Sequence, residues 1–188
     1  MTESTFVSHT AETAPAGAKP MLEGTTKKFG YIPAPVAKMA ESPELLGTFL
    51  KNIAAFDQTS LTQMEREVII MTMATHVQCH YCVAMHSTML AGAETPAKVI
   101  DDLRDDKPLE DARLEAIRQF TKAVIAANGG VGDEDVAAFL AAGYTRQNAL
   151  EVVLGIGTYT MSTFANRLTR VPLDAPFEKY RWEGPTAS

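Results

Sequence analysis

Residues 65–86 read EREVIIMTMATHVQCHYCVAMH, and the fold turns on how this stretch divides. Its first half carries Val68, Ile69, Met71, Thr72 and Met73 with few charges, which predicts a helix over 62–77 buried on most sides. The preceding SLTQMERE is a helix start, with Ser60 or Thr62 as cap and acidic residues in the first turns. A second helix follows over about 79–91 and ends at Gly92. The chain therefore reverses around Val77–Gln78.

Working outward, a helix is expected from Pro43, a residue suited to a first helical position, to Phe56. Thr95–Pro96 opens a short helix to Leu103, and DDKP breaks it. Amphipathic helices are expected over Leu109–Asn128, stopped by Gly129–Gly130, and over Asp133–Ala142, stopped by Gly143. The last runs from Thr145 to Arg170. The prolines at 33, 35 and 43 divide FGYIPAPVAKMAESPELL into short turns. No run sustains period-2 alternation, so the fold class is all-α, a bundle of seven or eight helices.

The domain reading is an arm over 1–20, loose in isolation or held by a neighbouring subunit, a helical domain over 21–170, and an extended tail over 171–188. Phe177, Tyr180 and Trp182 punctuate the tail, which is expected to lie on another subunit's surface. With 188 residues, 46% hydrophobic and 21% charged, the composition is that of one soluble globular domain. The net charge of -6 and the lack of a long Lys/Arg cluster argue against nucleic acid and anionic membranes as partners. No run of apolar residues approaches a membrane span, and the first residues lack a secretory signal's basic start and greasy core. The expected location is the reducing cytosol, where a close cysteine pair is more often catalytic or metal-binding than a staple.

The chain's two cysteines, Cys79 and Cys82, stand three apart. On a helix that spacing puts their Cβ atoms about 5–6 Å apart, so they can cycle between dithiol and disulfide with little backbone movement. A first-turn position for Cys79 favours its thiolate. His86, one turn beyond Cys82, is placed to act either as base or as imidazolium beside a thiolate. The alternative is a pair of buried cysteines serving as small hydrophobes.

Metal binding by His76, Cys79, Cys82 and His86 meets a length limit. In one straight helix the outer two lie about 15 Å apart, so one ion cannot take all four. A three-ligand site with an open position passes that test. If the chain reverses at Val77–Gln78, Glu67 faces residues 86–89 and reaches His86, fixing its tautomer; otherwise it is an exposed or capping carboxylate. Tyr81 either lines a pocket, donating to an oxyanion, or packs on a neighbour. One internal echo is visible at an offset of 84: EVIIMTMATHV from Glu67 against EVVLGIGTYTM from Glu151, with TFAN (163–166) where CHYC (79–82) stands.

Glu67-x11-Cys79-x2-Cys82-x3-His86 resembles the motif of the alkylhydroperoxidase AhpD-like family, within the carboxymuconolactone decarboxylase-like superfamily. The all-helical pattern extends the likeness over about 40–170. The resemblance implies that Cys82 attacks a hydroperoxide, that Cys79 resolves it, and that Glu67 and His86 relay protons. It implies a homo-oligomer, trimer or hexamer, that needs no metal or flavin, with a dithiol reductant such as a dihydrolipoyl or thioredoxin-like protein. Where the best-known members carry a second histidine before the second cysteine, this chain has Tyr81. The expected activity is that of a thiol-dependent peroxidase. Its rivals are a protein disulfide reductase or redox sensor, and a non-redox carboxymuconolactone decarboxylase-like enzyme.

Overall fold

A computed structural model describes residues 5–185; residues 1–4 of the arm and 186–188 of the tail lie outside the described residues. These contain nine α-helices: α1 Lys19–Phe29, α2 Ala34–Met39, α3 Pro43–Asp57, α4 Gln63–His76, α5 His80–Gly92, α6 Ala97–Arg104, α7 Ala112–Ala126, α8 Asp133–Ala141 and α9 Arg146–Leu168. A 3₁₀ helix, Ala175–Tyr180, follows, and no strand occurs among the described residues. The all-α reading holds, and α3 to α9 fall where the sequence places them. Helices α1 and α2 are additional to it, and the tail is not wholly extended.

Helix α4 is the hub, packed against α5, α6, α7 and α9. Its buried residues run without a gap from Glu67 to Thr75, as expected of a helix surrounded on all sides. Its start is fixed by a capping box. Thr62 Oγ1 accepts the Glu65 N–H at 3.2 Å, and the Glu65 carboxylate accepts the Thr62 N–H at 2.8 Å. Arg113 from α7 donates to the other Glu65 oxygen at 2.9 Å and stacks on Tyr144, its guanidinium carbon 4.0 Å from the ring centre.

The approach of α9 to α3 and α4 depends on Gly155. A Cβ there would lie 2.7 Å from Phe56 Cζ and 2.9 Å from Ile69 Cγ2. Both side chains are fully buried and have no free volume to retreat into. Gly155→Ala is expected to lower unfolding stability by about 1–3 kcal/mol through overpacking, although alanine is the better helix former. A urea midpoint at or above that of the parent would contradict this account of the α9 contact.

A second, smaller core joins the arm to the bundle. Ala14, Ala18 and Leu22 pack with Val36, Met39, Ala40, Leu46, Phe49 and Ala165. The His9 N–H donates to Ala37 O at 3.0 Å, and the Lys38 ammonium donates to Phe6 O at 2.5 Å. From Phe6 onward the arm is thus tied to its own α2. No helix among the described residues is long and apolar enough to cross a membrane.

Candidate active site

The turn between α4 and α5 builds the site. Val77 caps α4, and Gln78 takes a left-handed conformation (φ 53°). The Gln78 N–H then reaches Thr75 O at 3.0 Å, and the Cys79 N–H reaches Ala74 O at 2.8 Å. This is the Schellman pattern, which satisfies carbonyls orphaned at the helix end and turns the chain sharply. The Arg167 guanidinium from α9 donates to Val77 O and clamps the same corner. Cys79 becomes the N-cap of α5, its Sγ accepting the Cys82 N–H at 3.4 Å.

The two sulfurs are joined as a disulfide, with the Cα atoms 5.4 Å apart. Both cysteines are buried. One turn further along α5, His86 is 3% exposed, and its Nδ1 lies 2.8 Å from Glu67 Oε2. A carboxylate only accepts, so Nδ1 carries a proton, and in the neutral imidazole Nε2 is the nitrogen left with a lone pair. That Nε2 is buried without a hydrogen-bond partner among the described residues. Tyr159 of α9 walls the imidazole edge-on, ring centres 5.6 Å apart. Burial, and next the negative charge of Glu67, push the Tyr159 phenol above its usual range, so it stays neutral.

The hairpin reading of Glu67 and His86 corresponds to this contact. The helix break at residues 77–79 takes His76 off the stripe, to the exposed end of α4. Among the described residues no group of three His, Cys, Asp or Glu side chains is placed to share a metal ion. Sequence reasoning passed over Asn166 of α9. Its Nδ2 lies 3.3 Å from Cys82 Sγ and 3.9 Å from Cys79 Sγ. The one available signal was register, since 82 plus the echo's offset of 84 is 166.

An open pocket of about 350 Å³ meets this corner, lined by Cys79, His80, Tyr81, Asn166, Arg167, Arg170 and Val171. The Tyr81 hydroxyl donates to Asp174 Oδ2 at 2.7 Å, and the same oxygen accepts the Ala34 N–H at 3.1 Å. Burial, then this carboxylate, raise the Tyr81 phenol far above its usual range. Its ring meets Phe177 edge-on at 5.7 Å. The tail thus finds its surface on its own α5 and α6, where sequence reasoning looked to another subunit. Trp182 is 4% exposed and donates from Nε1 to Arg104 O at 3.1 Å. Arg104 in turn donates to Tyr180 O and Arg181 O, at 2.9 and 3.0 Å. His80 Nδ1 lies 2.6 Å from Trp182 O, with the two rings 5.4 Å apart.

Comparison with known proteins agrees with this architecture. Residues 40–107 match the carboxymuconolactone decarboxylase family. A peroxidase-related protein with an alkylhydroperoxidase AhpD core from Ralstonia eutropha JMP134 superposes with a TM-score of 0.82 at 22% identity, over 94% of this chain and 95% of that one. A peroxidase-related protein from Silicibacter sp. TM1040 gives 0.77 at 17% identity, over 94% and 96%. The debrominase Bmp8, in complex with 2,3,4-tribromopyrrole, gives 0.73 at 14% identity, over 95% and 96%. No curated protein sequence matches the chain. At these identities the three structures speak for the fold, and the sequence match is confined to residues 40–107. Residues 40–107 are thus similar to the carboxymuconolactone decarboxylase family, and they place a CxxC pair at disulfide distance within an AhpD-like all-α fold.

Proposed function

We propose that the protein is a thiol-dependent, peroxidase-like oxidoreductase that reduces hydroperoxides through the Cys79–Cys82 pair. The observation that carries this reading is the buried Glu67–His86 couple, whose bare Nε2 sits on the helical stripe of Cys82. In the reduced protein the Cys82 thiol gives its proton to Nε2. The thiolate attacks the peroxide O–O bond, leaving as sulfenic acid, and the departing alkoxide takes the proton back and departs as alcohol or water. The Cys79 thiol condenses with the sulfenic acid, releases water and closes the disulfide. A dithiol reductant then supplies two electrons and two protons. The pocket that Cys79 helps to line is its approach, and attack on Cys79 expels Cys82 as thiolate.

The test is peroxide consumption by the reduced protein with dihydrolipoamide or thioredoxin as reductant. Turnover with either supports the reading, and a dithiol that outlives excess hydroperoxide excludes it. The position of Cys79, at a helix N-cap and on a pocket wall, also suits thiol–disulfide exchange with a protein partner. That second reading expects slow oxidation by hydroperoxide and rapid exchange with a disulfide protein. Reduced protein mixed with 2,3,4-tribromopyrrole, the ligand of the debrominase of this fold, supplies a control for reductive dehalogenation. A non-redox activity is recognised by its survival when both cysteines are replaced.

A homo-oligomer forms part of the proposal. Leu150, Val153, Phe164 and Leu168 are each more than half exposed along α9, and a run of large apolar side chains on one helix marks an interaction surface. Sedimentation at micromolar concentration is expected to give a multiple of the chain mass, and Val153→Glu with Leu168→Glu is expected to reduce it. A monomer for the parent protein removes this part of the proposal.

A further inference from the structure

We propose that the Asn166 side-chain amide is the hydrogen-bond donor that holds negative charge on Cys82, which makes it a catalytic group contributed by the far end of the chain. Asn166 is 5% exposed, and its Nδ2 is directed at the sulfur pair, nearer to Cys82 (3.3 Å) than to Cys79 (3.9 Å). Its Oδ1 is buried without a hydrogen-bond partner among the described residues. A side chain in that position gains little stability from its polarity. A disulfide sulfur is a weak acceptor, and the buried amide oxygen is desolvated with no return. A leucine of similar size would fill the space without that cost. The amide has a strong partner only when Cys82 carries charge, because a hydrogen bond to an ion is about twice as strong as one between neutral groups.

The two sulfurs are served by different donors. Cys79 Sγ already has the Cys82 backbone N–H at 3.4 Å, fixed by the helix start. Cys82 Sγ lies beyond that cap and takes its N–H from α9. Cys82 thus sits between a proton acceptor, His86 Nε2, one turn along α5, and a donor, Asn166 Nδ2. Of the other titratable groups near the pair, His80 is engaged by Trp182 O and Tyr81 by Asp174. Glu67 from α4 acts through His86, and Tyr159 from α9 stays neutral. Arg167 and Arg170 line the pocket on the Cys79 side. The echo gives the pairing a sequence correlate, since Asn166 stands in TFAN at the register of Cys82 in CHYC.

The inference rests on Cys82 as the charged sulfur of the proposed cycle, but it is tested without peroxide. In Cys79→Ser, Cys82 is the single thiol, and its ionisation is read from thiolate ultraviolet absorbance and from alkylation rate against pH. Asn166→Leu in that background is expected to raise the midpoint by about one pH unit, a tenfold loss of thiolate below the midpoint. Asn166→Asp, which keeps the shape and replaces the donor by an acceptor, is expected to raise it further. In Cys82→Ser, where Cys79 is the single thiol, Asn166→Leu is expected to shift the midpoint much less. Equal shifts at the two sulfurs, or none at Cys82, overturn the proposal. If neither variant folds, the side-chain amide proton resonance of Asn166 in the ¹⁵N-labelled Cys79→Ser protein decides. It is expected to move with the midpoint of Cys82, and a flat response overturns the assignment. Absence of peroxide turnover in the parent protein would remove the peroxidase reading and leave these outcomes standing.

Discussion

Cys82→Ser is expected to lower peroxide turnover to background, whereas Cys79→Ser is expected to consume one equivalent of peroxide and stop. The asymmetry follows from geometry. Cys82 shares its helical face with His86 and receives the Asn166 amide, so proton removal and charge stabilisation converge on one sulfur. Serine in its place has a hydroxyl far too weakly acidic to serve as that nucleophile. In the proposed cycle Cys79 is needed only after oxygen has been transferred, so its loss is expected to leave the first step and strand a sulfenic acid. Trapping with a sulfenic-acid reagent and mass spectrometry distinguishes the two. A single rapid oxidation in Cys82→Ser, with none in Cys79→Ser, would reverse the roles.

Glu67 carries the second large effect, and two substitutions separate its parts. In Glu67→Leu the buried His86 Nδ1–H loses its acceptor, and stability is expected to fall by about 1.5–3 kcal/mol, the range for a hydrogen bond to a charged group. Glu67→Gln retains an amide oxygen for Nδ1–H and the shape of the site, so the fold is expected to persist by circular dichroism. What it lacks is the negative charge that makes the imidazole a stronger base. The alkylation profile of reduced Cys82 is therefore expected to move up in pH, toward the free thiol value of about 8.5. A folded Glu67→Gln with the parent's profile would leave Glu67 a packing and hydrogen-bonding role only.

The parts of this site that could be read from the sequence are those close together in it. Glu67 and His86 stand 19 apart across one tight turn, so counting back from Val77–Gln78 was enough to pair them. Helices α1 and α2 were harder to see because Pro20 falls at the end of an arm of loose composition and Pro35 reads as a break. Both occupy the first turn of a helix, where a missing N–H costs nothing. Helix α1 also holds Gly24, Thr25 and Thr26, residues of low helix propensity, and is held through Leu22 in the second core. The tail's aromatic residues announce that they need cover but not where it lies. Only the folded chain brings Trp182 onto Arg104 and His80, and Asn166 onto the sulfurs.

The strap formed by the tail has a consequence for the order in which the molecule is made. Cys79, Cys82, His86 and Glu67 lie within residues 67–86 across one short turn, which closes early and at small entropic cost. The amide at Asn166 is 84 residues from Cys82, and the Trp182 carbonyl is 102 from His80. Domains grow from the N-terminus during synthesis. A nascent chain can therefore assemble the reactive hairpin well before its donor and its cover have been synthesised. During that interval the pair lacks the wall that Asn166 and Arg167 of α9 give its pocket, and their arrival narrows the approach to it. The site is thus finished from the far end of the chain, after its sulfurs are already in place.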